Sequence, residues 1–176
     1  MTAHHSPFHP PPEDRSGRRR MRRGLVALGA AVLLVGGIGG ASAVSDQGGG
    51  RHRAISTPEA PAAIGPYSQG ISAGQLTFVS GQLPIDPKIG KIPADSSIED
   101  QARQAMRNVQ AVLRADGMSL RHITSTTVYV ADLNDFARFN AVYAEFFESD
   151  PPARATVQVA RLPQDAKVEI SAIAVR

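Results

Sequence analysis

The pattern of hydrophobic and polar positions along the chain changes near residue 55. From there to residue 176, short apolar runs alternate with glycine and proline, which is typical of a domain with several short strands. The preceding residues contain a polar start, a run of arginines and one long uncharged stretch. The pattern therefore predicts one folded domain at 55–176, preceded by a segment that is not part of that domain.

A first amphipathic helix is predicted after residue 97. Apolar side chains between Ile98 and Leu113 recur at helical spacing and would form one buried face. Ser97 and Asp100 form a variant of the capping box, with Asp where Glu is usual, and Gly117 follows as the expected stop. These signals predict both ends of the helix.

A second helix is predicted to begin near 133–135. It is expected to run to 150–152, because Pro151 and Pro152 cannot continue the hydrogen-bond ladder. Its inward-facing side chains are predicted to be mostly aromatic: Phe136, Phe139, Tyr143, Phe146 and Phe147.

Five strands are predicted from β-branched or alternating runs, at 70–72, 76–80, 123–130, 153–160 and 167–175. The order ββαβαββ predicts an α+β fold, with a single mixed β-sheet backed by two helices on one face. The other face of the sheet would be uncovered in a monomer, so its valine and isoleucine side chains predict burial by self-association. The pattern alone leaves dimer and trimer open.

The first 54 residues are interpreted as a targeting sequence. Residues 1–23 are predicted to be a disordered basic cytoplasmic tail, 24–45 a signal peptide or signal anchor, and 46–54 a linker. Residues 41–43, Ala-Ser-Ala, resemble a cleavage site, whereas the 22 uncharged residues at 24–45 would also just span a membrane. The arginines predict an outward-facing domain in either case, exported (periplasmic or secreted) or anchored to the outer face of the cytoplasmic membrane.

The route of export also stays open. Arg22 and Arg23 loosely resemble a twin-arginine signal, which would export an already folded protein.

Charge and cysteine content exclude several classes of function. Residues 1–43 carry six arginines and two acids, for a net charge of +4, and residues 44–176 carry 13 basic and 14 acidic residues, for −1. The domain therefore lacks the positive charge that non-specific nucleic-acid binding needs. The chain contains no cysteine, which excludes thiolate nucleophiles, disulfides and cysteine-rich metal sites.

Arg154 and Glu169 are the first candidates for chemistry. Arg154 begins a predicted strand after two prolines, and a guanidinium suits bidentate recognition of a carboxylate. Alternation places Arg154, Thr156 and Gln158 on one face of that strand. Glu169 lies in an apolar strand, where a raised pKa would suit proton transfer. The plainer alternatives are a solvated strand-end arginine and an exposed edge glutamate.

Polar residues near turns supply weaker candidates. Asn140 lies on the inward face of the second helix, where its amide needs either a structural partner or a ligand. Residues 65–69 and 80–82 are rich in hydroxyl and amide groups, which ordinary turn chemistry would also explain.

Taken in order, several of these segments resemble the RidA (YjgF) family, also called endoribonuclease L-PSP. The likeness extends from about Ile55 to Arg176 and covers none of residues 1–50. The matching stretches are 60–69 (APAAIGPYSQ), 78–84 (FVSGQLP), 140–147 (NAVYAEFF), 152–154 (PAR), 162–163 (LP) and 168–170 (VEI).

The resemblance implies a chorismate-mutase-like homotrimer with ligand clefts between subunits. It also implies hydrolytic deamination of reactive 2-imino and enamine acids, such as 2-aminoacrylate, to 2-oxo acids and ammonia, with no metal or organic cofactor. The small-molecule imino or enamine acid is the expected partner, and no nucleic acid is expected.

The resemblance assigns roles to seven residues. Arg154, Glu169 and Tyr67 match catalytic positions, Arg154 holding the substrate carboxylate and Glu169 orienting or deprotonating a water. The expected substrate-binding residues are Ser80, Gly81 through its backbone N–H, Asn140 and Thr156.

Ala155 departs from the family pattern, since a serine often follows the arginine there, and this change affects fine positioning. Two rival functions are a non-catalytic trimeric binder of small carboxylates and a ribonuclease. The ribonuclease is disfavoured because the domain is nearly neutral and holds only His122 beyond His52.

Overall fold

The computed structural model describes residues 52–176. The predicted tail at 1–23, the signal peptide or anchor at 24–45 and most of the predicted linker at 46–54 lie outside the described residues. Within residues 52–176, no helix combines the length and the apolar character needed to cross a membrane.

Six strands and two α-helices form the described domain. The strands are β1 (Arg53–Ile55), β2 (Gly70–Ala73), β3 (Leu76–Gln82), β4 (Ile123–Val130), β5 (Ala153–Gln158) and β6 (Val168–Val175), and the helices are α1 (Ile98–Ala115) and α2 (Phe136–Ala144). The strands lie in the order β1-β2-β3-β6-β4-β5 in one sheet. Only β4 and β5 are parallel, because α2 returns the chain to the same end of the sheet between them. The predicted α+β fold with a single mixed sheet is confirmed.

Strand β1 is an element that the sequence pattern did not predict. It pairs antiparallel with β2 and includes Arg53 and Ala54, which the sequence interpretation placed in the linker. Three residues are too few to show the alternation of polar and apolar positions that identifies a strand. Contacts with the rest of the domain stabilise β1 instead. Ile55 is buried in the core, and Arg53 forms an ion pair with Asp116 at the end of α1.

Helix α1 has the ends that its sequence predicts. The Ser97 hydroxyl accepts from the Asp100 N–H, and the Asp100 carboxylate accepts from the Ser97 N–H. At the other end Gly117 adopts a positive φ of 71°, and the N–H of Met118 donates to the Leu113 carbonyl, which forms a Schellman motif. The predicted apolar face is buried against the sheet.

Helix α2 is shorter than predicted. A 3-10 turn at Leu133–Asp135 precedes it, and it ends at Ala144 rather than at the prolines. After Ala144 the backbone tightens, with i to i+3 hydrogen bonds from Phe146 to Tyr143 and from Phe147 to Ala144. The two phenylalanines thereby pack on the core without extending the α-helix.

The two faces of the sheet differ in what covers them. On β6 the residues Val168, Ile170, Ala172 and Ala174 are buried beneath the helices. The alternate side chains lie on the other face, which we call the open face. Here Phe78, Val157 and Ile173 are 41%, 44% and 38% exposed. A face of this composition is what the sequence pattern predicted for a single subunit.

Asp116 joins both ends of the domain to α1. Its buried side chain accepts from Thr77 and forms ion pairs with Arg53 and, at 2.9 Å, with Arg176. Burial raises the pKa of the Asp116 carboxyl, but the hydrogen bonds from Thr77 and Ser72 and the charges of Arg176 and Arg53 outweigh it, so the pKa lies below its usual value.

Candidate active site

Arg154 occupies an aromatic recess between β5 and α2. Its guanidinium carbon lies 4.6 Å from the ring centroid of Tyr143, 5.6 Å from that of Phe139 and 5.7 Å from that of Phe136. All three rings project from α2 at helical spacing, so one face of a short helix surrounds the cation. Cation–π attraction holds the guanidinium against these rings.

Asn140 fixes the orientation of the guanidinium. Its Oδ1 accepts a hydrogen bond of 2.7 Å from Nη2 of Arg154. The amide predicted to face inward therefore has a structural partner, and that partner is the predicted carboxylate-binding residue. Both residues line a cleft of about 460 Å³, whose remaining wall is apolar: Tyr143, Ala144, Phe147, Pro151 and Pro152.

Thr156 lies two residues beyond Arg154 on the same face of β5. The register pairs Arg154 with Thr126 and Thr156 with Val128, both of which are buried on the helix-covered face. This confirms the predicted alternation along β5. The Thr156 hydroxyl oxygen is buried and lacks a hydrogen-bond partner within residues 52–176. An orphaned buried hydroxyl costs free energy, and a bound polar group would satisfy it. We call Arg154, Asn140 and Thr156 the arginine group.

Glu169 and Gly81 meet on the open face. Glu169 pairs with Tyr129 across β4 and β6, and its side chain lies directly over Gly81 at the bulge between β3 and β6. A Cβ atom at residue 81 would lie 2.7 Å from Cδ of Glu169, so only glycine leaves room for the carboxylate. Burial raises the pKa of the Glu169 carboxyl, which favours its acting in proton transfer.

Tyr67 and Ser80 lie beside this pair. Tyr67 and Gly81 line the same small hollow, and Tyr67 is 49% exposed, with its hydroxyl accepting from the Ile64 N–H at 3.3 Å. The Ser80 hydroxyl donates to the Ser68 carbonyl at 2.7 Å. We call Tyr67, Ser80, Gly81 and Glu169 the glutamate group.

The two groups lie on opposite faces of the sheet within one chain. Arg154 shares the face of Thr126, which is buried under the helices, whereas Glu169 shares the face of Tyr129. The structure therefore brings the seven predicted residues together as two separate sets. A carboxylate held by Arg154 and a water held by Glu169 of the same chain would be separated by the sheet itself.

Two buried amides position these groups: Gln69 entered the sequence prediction only as part of the polar segment 65–69, and Asn108 was missed. Gln69 is buried and donates to the carbonyls of Thr57, Ala60 and Pro61, which holds the loop before β2 that carries Tyr67. The Asn108 amide of α1 donates to the Leu83 and Ile85 carbonyls just beyond Gly81. Polar residues at otherwise buried positions are a usable signal, but their partners are distant in sequence.

The fold and site together define a small α+β domain with a guanidinium held in place on one sheet face and a half-buried carboxylate on the other. The Endoribonuclease L-PSP family model matches residues 57–176. The chain belongs to this family, which is the RidA (YjgF) family.

Curated relatives and solved structures agree with this assignment. The 2-iminobutanoate/2-iminopropanoate deaminase of Escherichia coli is 52% identical over 127 residues, which cover 70% of this chain and 98% of that protein. A RutC family protein of Pyrococcus horikoshii is 52% identical over 120 residues, covering 68% and 94% respectively.

Among solved structures, that of E. coli TdcF with bound serine has a TM-score of 0.68 at 50% identity, covering 70% of this chain and 98% of that chain.

Proposed function

We propose that this protein hydrolyses 2-imino and enamine acids, such as 2-aminoacrylate, to 2-oxo acids and ammonia. The observation that carries the proposal is the Arg154 guanidinium, which Asn140 and three rings hold in place beside a cleft with apolar walls. A fixed planar cation suits the carboxylate that all these substrates share. The relative named 2-iminobutanoate/2-iminopropanoate deaminase and the serine-bound TdcF structure support the same substrate class.

The reaction needs a positioned water and a route for protons. Water adds to the imine carbon of R–C(=NH)–COO⁻ to give a carbinolamine. Cleavage of its C–N bond then releases ammonia and leaves R–C(=O)–COO⁻. An enamine enters after a proton is added to its β-carbon, which gives the imine. Because an imine carbon is already electrophilic, positioning and proton transfer suffice.

Glu169 supplies the proton transfer in this proposal. Burial raises the pKa of its carboxyl, so it accepts a proton from the attacking water more readily than an exposed glutamate would. The same proton can then be delivered to the departing nitrogen. Thr156, whose buried hydroxyl lacks a partner in the part of the chain that the structure describes, would donate to the bound substrate.

Each active site is proposed to form between two subunits of a homotrimer. The arginine group and the glutamate group lie on opposite faces of one sheet, so two copies of the chain are needed to bring them together. The exposed apolar side chains of the open face support burial by self-association.

Mixed oligomers test the shared site. Arg154→Ala and Glu169→Gln should each be inactive alone. Their co-assembled mixture should recover about one quarter of the sites, since each of two subunits has an even chance of carrying the intact residue. A mixture as inactive as its parents would contradict a shared site.

The protein is proposed to act outside the cytoplasmic membrane. Support comes only from the sequence of residues 18–45, where arginines precede an uncharged stretch and an Ala-Ser-Ala site. Sequencing the N-terminus of the exported protein tests this. A start at Val44 would support cleavage, an intact chain in the membrane fraction would support an anchor, and protein found only in the cytoplasm would contradict both.

The activity is tested by ammonia and 2-oxo acid release from freshly generated 2-iminopropanoate. Arg154→Ala should lower kcat/KM more than ~100-fold, because lost hydrogen bonds to a charged group cost about 3 kcal/mol. Arg161→Ala is the matched control, since this exposed arginine pairs with Asp165 on the surface. Carboxylate binding without turnover in the wild type would favour the non-catalytic binder instead.

A further inference from the structure

Tyr143 is the residue of α2 whose ring has the closest contact with the Arg154 guanidinium. Its side chain is buried, and its ring centroid lies 4.6 Å from the guanidinium carbon. A buried tyrosine is often a core residue with a satisfied hydroxyl, so its contacts decide which role it has.

The Tyr143 hydroxyl is tied to the strand beside Arg154. It shares a buried hydrogen bond of 2.8 Å with Oγ1 of Thr126 on β4. Thr126 is the residue directly paired with Arg154 across β4 and β5. The Tyr143 hydroxyl is therefore hydrogen-bonded to the residue that lies next to Arg154 on the adjacent strand.

Two aromatic rings pack against Tyr143, that of Phe139 within α2 and that of Phe147 in the turn that follows the helix. The Tyr143 centroid lies 5.5 Å from that of Phe139 and 4.9 Å from that of Phe147, both in tilted arrangements. The ring also stays uncharged, because burial raises the pKa of the Tyr143 hydroxyl despite opposing effects of Thr126 and Arg154. The guanidinium consequently faces a neutral, immobilised ring rather than an ion-pair partner that would compete with a carboxylate.

We propose that Tyr143, held by Thr126, is a positioning residue that keeps the Arg154 guanidinium in its carboxylate-binding orientation before substrate arrives. An arginine side chain carries considerable rotamer entropy, and fixing it in the free protein removes that cost from binding. This inference rests on the proposed function, in which Arg154 binds the substrate carboxylate. Asn140 accepts a hydrogen bond from the edge of the Arg154 guanidinium, whereas the Tyr143 ring lies against the face of the guanidinium.

The proposal predicts an effect on binding rather than on the chemical step. Tyr143→Leu removes the ring and should raise KM for 2-iminopropanoate about 10-fold, within the range of a desolvated cation–π contact, with kcat changed less than about 2-fold. Tyr143→Phe keeps the ring but loses the hydrogen bond to Thr126, so KM should rise only about 3-fold. The dissociation constant of propionate, measured by calorimetry, should follow KM in both variants.

Val142→Ala serves as the matched control for stability. Val142 is the adjacent buried residue of α2 and belongs to the core. Its truncation should lower the melting temperature while leaving KM and the propionate dissociation constant at wild-type values. A rise in KM in this variant equal to that of Tyr143→Leu would assign the effect to general loosening of α2 and overturn the proposal.

The variants also distinguish a failure of the positioning role from a failure of the proposed function. If Arg154→Ala weakens propionate binding and Tyr143→Leu does not, the positioning role fails while the proposed function stands. If Arg154→Ala leaves binding and turnover unchanged, both fail. Should Tyr143→Leu not fold, the double variant Tyr143→Phe with Thr126→Val removes the anchoring hydrogen bond without orphaning either partner. A rise in KM of about 3-fold is then expected, and wild-type values would overturn the proposal.

Discussion

A single methyl group added at Gly81 tests whether Glu169 acts from its present position. The Cβ atom of Gly81→Ala would lie 2.7 Å from Cδ and 3.1 Å from Cγ of Glu169, and closer still to Oε1. The carboxylate must therefore swing away from the glycine. The backbone of residue 81 itself has no positive φ, so alanine is not strained there.

The expected cost to stability is small because the two contributions oppose each other. Replacing glycine by alanine at a compatible backbone stabilises a protein by about 0.4–1 kcal/mol through the unfolded state. Twisting the flexible end of Glu169 off its rotamer to avoid the new methyl group costs about 0.5–1.5 kcal/mol. The net change in the free energy of unfolding should stay within about 1 kcal/mol, measured by chemical denaturation.

The expected cost to turnover is large. A displaced general acid–base group forfeits roughly 10²- to 10⁴-fold in rate, so kcat for 2-iminopropanoate should fall at least ~100-fold. The propionate dissociation constant should change little, because the substitution retains both the Arg154 guanidinium and the N–H of residue 81, the two groups expected to bind the carboxylate.

A double variant isolates the cause. Glu169→Ala relieves the clash, so adding Gly81→Ala to it should change kcat no further. Wild-type kcat in a folded Gly81→Ala protein would refute the role given to Glu169. A further large loss in the double variant would show that Gly81 acts by another route.

Two further predictions concern stability. Asp116→Asn should lose about 2 kcal/mol of unfolding free energy at pH 7, the range for hydrogen bonds to a charged group. Because the folded-state pKa of Asp116 lies below the unfolded value, this stabilisation is present above pH 3.8 and should vanish as the pH falls below it, so denaturation curves of variant and wild type should converge in acid. Asn108→Ala should lose about 3 kcal/mol because two buried carbonyls, of Leu83 and Ile85, lose their donor. Asn108→Asp should be less stable still, since it places a carboxylate against both oxygens, and an aspartate variant as stable as wild type would contradict this account.

Local signals in the sequence predicted most of the secondary structure. The capping residues Ser97 and Asp100 and the stop at Gly117 act within one turn of helix, so they can be recognised without tertiary contacts. The alternation along β5 and β6 likewise sorted side chains between faces before the sheet order was known. Helix α1 and strands β5 and β6 lie in the structure at the positions that the sequence predicted.

The secondary-structure predictions were wrong where contacts between residues distant in sequence determine the local structure. Strand β1 exists because Ile55 enters the core and Arg53 pairs with Asp116, 63 residues away. Helix α2 ends at Ala144 because tighter turns there bring Phe146 and Phe147 onto the core, not because proline interrupts it.

The identities of the candidate site residues were available from the chain alone, whereas their grouping was not. The ordered motifs indicated the family by resemblance, and strand position together with that resemblance singled out Arg154 and Glu169. Only the strand order and register show that these two side chains lie on opposite faces of one sheet. Periodicity assigns a side chain to one of two faces within its own strand, but hydrogen bonding between strands far apart in sequence decides which faces coincide.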